Sequence, residues 1–182
     1  MRQFVVYQGQ WSAASRDFER DIIPMCESEK MGICPWGALG GGNFKTDEQR
    51  KNNEGRNMGQ PSEAHIAVSK VLEKMAKEKN TVLTSIALAY VMHKTPNVFP
   101  IVGGRKIEHL KGNIEALSIK LSQEDIDEIE SATPWDSGFP MNFLFPGQKT
   151  PSLKANDMWL VTSSTHLDIH DRPRPIEPRS QS

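Results

Sequence analysis

Residues 97–117 read NVFPIVGGRKIEHLKGNIEAL. Residues 97–102 form a short, nearly continuous apolar run, the composition of a strand covered on both faces. Gly103 and Gly104 end that run, and Arg105 and Lys106 follow. From Lys106 to Leu117, the residues Ile107, Leu110, Ile114 and Leu117 recur at helical spacing. A strand that turns through glycines into a helix is one βα unit.

Upstream, the pattern repeats with different turns. Residues 4–7 (FVVY) read as a strand closed by Gln8 and Gly9, again as a run covered on both faces. Residues 17–30 place Phe18, Ile22, Met25 and Cys26 at helical spacing, with Pro24 expected to kink or delay the helix. Residues 31–36 (MGICPW) read as a second strand that runs straight into Gly37, Ala38, Leu39, Gly40, Gly41 and Gly42. Residues 43–61 are polar and without period, which predicts an exposed loop. Ser62 caps a strongly amphipathic helix to residue 79, and residues 84–93 predict a second, buried helix. Ser122 to Asp125 resembles a capping box opening a short helix through Ser131. Three strands alternating with helices predict an α/β fold with a parallel sheet. Residues 1–133 form that part, and residues 134–182 predict an irregular tail, disordered at its end where Pro173, Pro175 and Pro178 cluster.

Composition narrows the function classes. The 182 residues carry 22 Lys+Arg against 23 Asp+Glu, so net charge offers no reason to expect nucleic acid or an anionic membrane as partner. No apolar run reaches the ~18 residues of a membrane span. The N-terminal apolar stretch is too short for a secretory signal. With 2 cysteines, Cys26 and Cys34, there is no disulfide framework, and a reducing cytoplasm is the expected location. A complete (β/α)8 barrel needs ~250 residues, more than this chain has.

In parallel βα architectures, ligands bind at the carboxyl ends of the strands. Gln8, then Trp36 with its glycines, then Gly103, Gly104, Arg105 and Lys106 all fall there. Glycines let backbone N–H groups approach a ligand, and a helix N-terminus favours phosphate. Arg can grip a phosphate in bidentate fashion, and an indole offers a flat face for a planar ring. Together these residues point to a phosphorylated, ring-bearing cofactor. Each also has a plainer reading: strand-end turn, core packing or flexible loop. The glycines fit neither the dinucleotide fingerprint nor the P-loop, because Lys45 stands where the last fingerprint glycine belongs and Phe44 precedes Lys45 and Thr46. His166, Asp168 and His170 lack further ligands nearby, so no metal site is expected.

The segments FVVYQGQWSAASRDFERDIIPMC, GICPWGALGGGNFK and NVFPIVGGRKIEHLKGNIEALSIKLSQEDI resemble the aldo-keto reductases, in particular their fungal aryl-alcohol dehydrogenase branch, which includes enzymes of secondary-metabolite pathways. The resemblance implies an incomplete TIM (β/α)8 barrel made of its last three strands, and NADP as cofactor. It implies that Gln8 meets the nicotinamide carboxamide and that Trp36 stacks on the ring. Gly37, Ala38, Leu39 and Gly40 would lie along the pyrophosphate, with Gly41, Gly42, Asn43, Phe44 and Lys45 continuing over the cofactor. Gly103, Gly104, Arg105 and Lys106 would surround the adenosine 2′-phosphate, and His109 and Asn113 would touch the adenine.

The resemblance also implies that the family's catalytic Asp, Tyr, Lys and His belong to earlier strands, so no residue here is carried over as catalytic. Neither Tyr7 nor Tyr90 has the expected Lys neighbour. The implied function is that of an NADP-dependent reductase of an aldehyde or ketone, with negligible reductase activity expected from this chain alone. The alternative is a non-catalytic remnant, or a partner protein docking through its open sheet.

Overall fold

The computed structural model describes residues 2–52, 60–146, 158–165 and 174–178. His166, Asp168 and His170, where no metal site is expected, and Pro173 of the expected terminal disorder lie outside them. Two strands, β1 (Val6–Gln10) and β2 (Gly32–Trp36), pair in parallel, with Val6 opposite Gly32, Gln8 opposite Cys34 and Gln10 opposite Trp36. Between them come a 3-10 turn at Asp17–Glu19 and helix α1 (Ile22–Ser28). Pro24 stands in the first turn of α1, where its missing N–H costs no helical bond. The helix accordingly begins late and does not kink.

The expected third strand is present as an extended segment but not as a regular strand. The Ile33 N–H donates to Asn97 O at 2.9 Å, the Phe99 N–H to Ile33 O at 2.7 Å and the Ile101 N–H to Pro35 O at 2.8 Å. Ile33 and Val98 form an isolated parallel bridge. The next bridge in the ladder would need an N–H from residue 35, and Pro35 has none. The segment therefore follows β2 in strand-like fashion with one rung missing.

Helices α3 (Glu63–Glu78) and α4 (Leu83–Lys94) pack on each other. Ser62 caps α3 by accepting the His65 N–H, as its sequence predicts. Helix α4 is buried over most of its length, which explains its apolar residues on every side. Helix α5 (Ile107–Glu115) lies against α4, and α6 (Gln123–Ser131) against α3. Ser122 and Asp125 form the expected capping box.

Two expectations need correction. Residues 43–61 are not simply a loop: helix α2 (Asp47–Lys51) forms there behind a capping box in which Thr46 accepts the Gln49 N–H and the Gln49 side chain accepts the Thr46 N–H. That S/T-x-x-E/Q pattern is visible in the sequence. The tail after Pro134 also contains two short helices, α7 (Met141–Leu144) and α8 (Trp159–Thr162).

The core lies on one side of the sheet only. Trp11, Phe18, Ile23, Cys26, Ile33, Val68, Leu72, Ile86 and Tyr90 belong to it. On the other side, Val6 is 48% exposed, Trp36 45% and Phe99 60%. The reading of residues 4–7 as a strand covered on both faces is thus wrong. The strand starts later, at Val6, and its alternate residues Val6, Gln8 and Gln10 point away from the core.

Candidate cofactor site at the strand ends

The open face of the sheet is assembled by register. Gln8 stands beside Cys34, and Gln10 beside Trp36, because the Cα partners of a parallel pair point the same way. Gln8 is inside β1 and not beyond it, as the sequence suggests, because pairing with β2 extends the strand to Gln10. Gln10 is the polar residue the sequence reading passed over. Its Cγ lies 3.8 Å from the Cβ that a side chain at Gly37 would bring. The period of two from Gln8 could have identified it.

After Trp36, the chain turns sharply through glycines with left-handed backbones: Gly37 at φ 75°, Gly40 at 69°, Gly41 at 61° and Gly42 at 92°. The Gly40 N–H donates to Gly37 O at 2.8 Å, and the Asn43 N–H to Gly40 O at 2.9 Å. A Cβ on Gly40 would sit 2.7 Å from the Phe44 ring, whereas one on Gly41 would meet nothing within 4 Å. The loop is therefore closed on its core side and open on the other. Ala38 and Phe44 are core residues; they anchor the loop, and their side chains do not face the open surface. Leu39, Gly42, Asn43 and Lys45 are half-buried and Gly41 is exposed.

Behind the loop, Phe44 tilts against His65, with ring centroids 5.7 Å apart. Burial, reinforced by the charge of Arg50, holds the His65 imidazole below its usual pKa.

The third turn follows the extended segment. Gly103, Gly104, Arg105 and Lys106 are exposed, and a Cβ on Gly103 would meet nothing within 4 Å. Gly104 is required by its neighbour, since a Cβ there would lie 2.8 Å from His109 Cβ. The Arg105 N–H donates to His109 Nδ1 at 3.3 Å, so the histidine folds back over the N-terminus of α5. Among the described residues, neither Arg105 nor Lys106 has an ion-pair partner. Asn113 is half-buried one turn beyond His109.

Hydrogen bonds between neighbouring parallel segments hold all three turns at one end of the sheet. Chemically, this edge offers an exposed indole, open backbone N–H groups at glycines and two uncompensated cations. That combination suits a planar ring joined to phosphates.

A buried ion network braces this edge from the core side. Arg16 donates to Glu19 through Nε at 3.0 Å and through its terminal nitrogen at 2.8 Å, and that nitrogen also reaches Glu130 at 3.0 Å. Lys94 pairs with both carboxylates. The Trp11 indole N–H donates to Glu19 at 3.1 Å, and the Arg16 guanidinium lies 4.6 Å from the centroid of the Trp135 ring. Burial opposes the Glu19 charge, but the Arg16 hydrogen bond and the Lys94 and Arg16 charges outweigh it and hold the carboxyl below its usual pKa. Burial, with the neighbouring Glu19 and Glu130 charges, pushes the Tyr90 hydroxyl well above its usual value. Tyr90 is fully buried and shared between those carboxylates, so it is an internal donor out of reach of any ligand on the open face.

Among the described residues, no group of three or more His, Cys, Asp or Glu could hold a metal, and no helix is long and apolar enough to cross a membrane. Both cysteines are free thiols.

The chain is similar to proteins of known name. Norsolorinic acid reductase A of Aspergillus parasiticus is 55% identical over 178 residues, covering 96% of this chain and 46% of that protein. An aryl-alcohol dehydrogenase of Pestalotiopsis microspora is 45% identical over 180 residues, covering 98% of this chain and 46% of that one. The chain thus spans about half the length of the curated relatives it matches.

Among solved structures, a thermostable aldo-keto reductase crystallised with the inhibitor epalrestat superposes with a TM-score of 0.55 at 24% identity, over 73% of this chain and 41% of that one. An aldo/keto reductase from Klebsiella pneumoniae, solved with NADP and acetate, superposes with a TM-score of 0.53 at 21% identity, over 70% and 38% respectively. These two show that the α/β arrangement is that of the barrel-type reductases. The sequence model of the aldo/keto reductase family matches residues 2–134, and the chain belongs to that family.

Proposed function

We propose that this chain is the cofactor-binding part of an NADP-dependent, aryl-alcohol dehydrogenase-like aldo/keto reductase whose substrate is an aldehyde or ketone. Residues 1–133 are the last three βα units of the barrel, and residues 134–182 are an appended tail. The observation that carries the reading is the alignment of three unlike turns at one end of a parallel sheet. The names of the relatives support the reductase class.

In this reading, the exposed Trp36 indole stacks against the nicotinamide, and Gln8 hydrogen-bonds its carboxamide. The backbone from Gly37 to Lys45 follows the pyrophosphate. Gly41 contributes the most open approach, while Ala38 and Phe44 hold the loop to the core. Arg105 and Lys106 neutralise the 2′-phosphate, which favours NADP over NAD, with Gly103 and Gly104 giving backbone access. His109 and Asn113 flank the adenine. When bound, the cofactor supplies a hydride for a carbonyl carbon.

The chain's own part is to bind and orient. Its buried Tyr90 cannot donate a proton to that carbonyl. General acid help is worth ~10²–10⁴ in rate, so the chain alone should turn over negligibly.

Titration of the chain with NADPH, followed by Trp fluorescence, tests this. Saturable binding that Arg105→Ala weakens by about tenfold or more supports it, in line with the ~1.5–3 kcal/mol of a charged hydrogen bond. Equal affinity for NADH and NADPH by the folded chain would remove the 2′-phosphate assignment.

A further inference from the structure

The Thr46–Gln49 capping box makes α2 begin immediately after the glycine loop, and that start fixes where the last turn of α2 lies. The last turn carries Arg50, which reaches back to the loop. Its Nη2 donates to Asn43 O at 3.4 Å, across seven residues of sequence. The same Asn43 peptide donates its N–H to Gly40 O at 2.9 Å. One peptide at the end of the glycine turn is thus held from both of its polar atoms, and one of the two holds is a cation.

That cation is poorly neutralised. The Arg50 side chain is only 18% exposed, and its Nε is buried with no hydrogen-bond partner. Among the described residues its one ion pair, with Oδ1 of the exposed Asp47, stretches to 3.5 Å. Its charge is felt nearby. Burial first, and Arg50 second, keep the His65 imidazole below its usual pKa, and that ring packs on Phe44 of the loop. In a half-buried setting the effective dielectric is far below that of water, so a charge left without a close counter-ion acts over several ångströms.

We infer that Arg50 is a positioning residue for the anion received by the glycine loop: it fixes the Asn43 peptide and lends the loop positive potential without touching the ligand. This rests on the reading of residues 37–45 as the pyrophosphate seat. Its role differs from that of Arg105, which stands exposed at another turn and grips the 2′-phosphate by contact. A pyrophosphate is common to NADH and NADPH, whereas the 2′-phosphate belongs to NADPH alone. Arg50 therefore strengthens binding of both dinucleotides alike, and Arg105 discriminates between them.

The test is titration of the full 182-residue chain with NADPH and with NADH, followed by Trp fluorescence, together with an NMR titration of His65 in the absence of dinucleotide. Arg50→Gln, which removes the charge, should weaken both dinucleotides by the same factor, about threefold to tenfold, the size of one lost hydrogen bond. Arg50→Lys keeps the charge and should recover most of that loss. Arg105→Ala should weaken NADPH much more than NADH. The His65 titration should move up toward its usual range in Arg50→Gln and stay low in Arg50→Lys, a readout that packing alone would not move. Unchanged affinities in folded Arg50→Gln, with Arg105→Ala still weakening NADPH, would overturn the inference and leave the cofactor reading standing. No binding of either dinucleotide by the folded wild-type chain would remove the reading, and the inference with it. Equal losses in the Gln and Lys variants, or an unmoved His65 titration, would reduce Arg50 to a packing residue and overturn the inference as well.

Discussion

The Tyr90 hydroxyl lies 3.1 Å from Glu19 Oε1 across 71 residues of sequence, and equally close to Glu130 Oε1. Its single proton serves two carboxylates whose charges are compensated by Arg16 and Lys94. This contact ties the turn after β1 to α4 and α6.

Glu19→Gln should therefore destabilise the chain by about 3–5 kcal/mol, the usual cost of breaking a buried pair from one side. Urea unfolding at neutral pH measures it. A loss below ~1 kcal/mol would mean the network is incidental to folding.

The same carboxyl predicts an acid limb. Its folded-state pKa is depressed, so the stabilisation it contributes is complete above the unfolded value of ~4.3 and is lost as pH falls through the lower folded value. Stability measured from pH 6 downward should decline below about pH 4.3, and that part of the decline should be missing in Glu19→Gln.

Tyr90 predicts the opposite limb. Its folded-state pKa is raised, so its contribution is complete below the unfolded value of ~10 and is lost as pH rises through the higher folded value. Tyr90→Phe should remove this alkaline loss and cost about 1–3 kcal/mol at neutral pH, because it leaves buried carboxylate oxygens short of a donor. Unchanged alkaline unfolding in the variant would contradict the assignment.

The glycine loop allows a graded test. Gly41→Ala carries only the left-handed backbone penalty, ~1–2 kcal/mol. Gly40→Ala adds a clash with the Phe44 ring and should cost distinctly more. Gly103→Ala, with open space around it, should leave folding unchanged within ~0.5 kcal/mol. Thermal melts should place Gly103→Ala highest, Gly41→Ala below it and Gly40→Ala lowest.

Local chemistry made several elements readable in advance. The Ser62 cap, the stripe of α3, the apolar α4 and the Ser122–Asp125 box depend on neighbours within a turn or two, and they form as expected. The Thr46–Gln49 box was equally readable, although the polar, aperiodic surroundings hid it. The Arg16, Glu19, Lys94 and Glu130 network was not, because none of its long-range pairs leaves a periodic trace, and each residue alone looks like an ordinary surface charge.

The amino-acid order by itself determined what chemistry stands near the turns: an indole before a run of glycines, and two cations before a helix. Those features follow from backbone sterics and side-chain type, which act within a few residues. Tertiary structure alone decided that β1 runs to Gln10, that Pro35 interrupts the ladder to residues 97–102, and that one sheet face and the stripe of α5 stay bare. A strand's sequence shows that it has two faces. Which of them is covered depends on what packs against it, and that is a property of neighbours brought in from far along the chain.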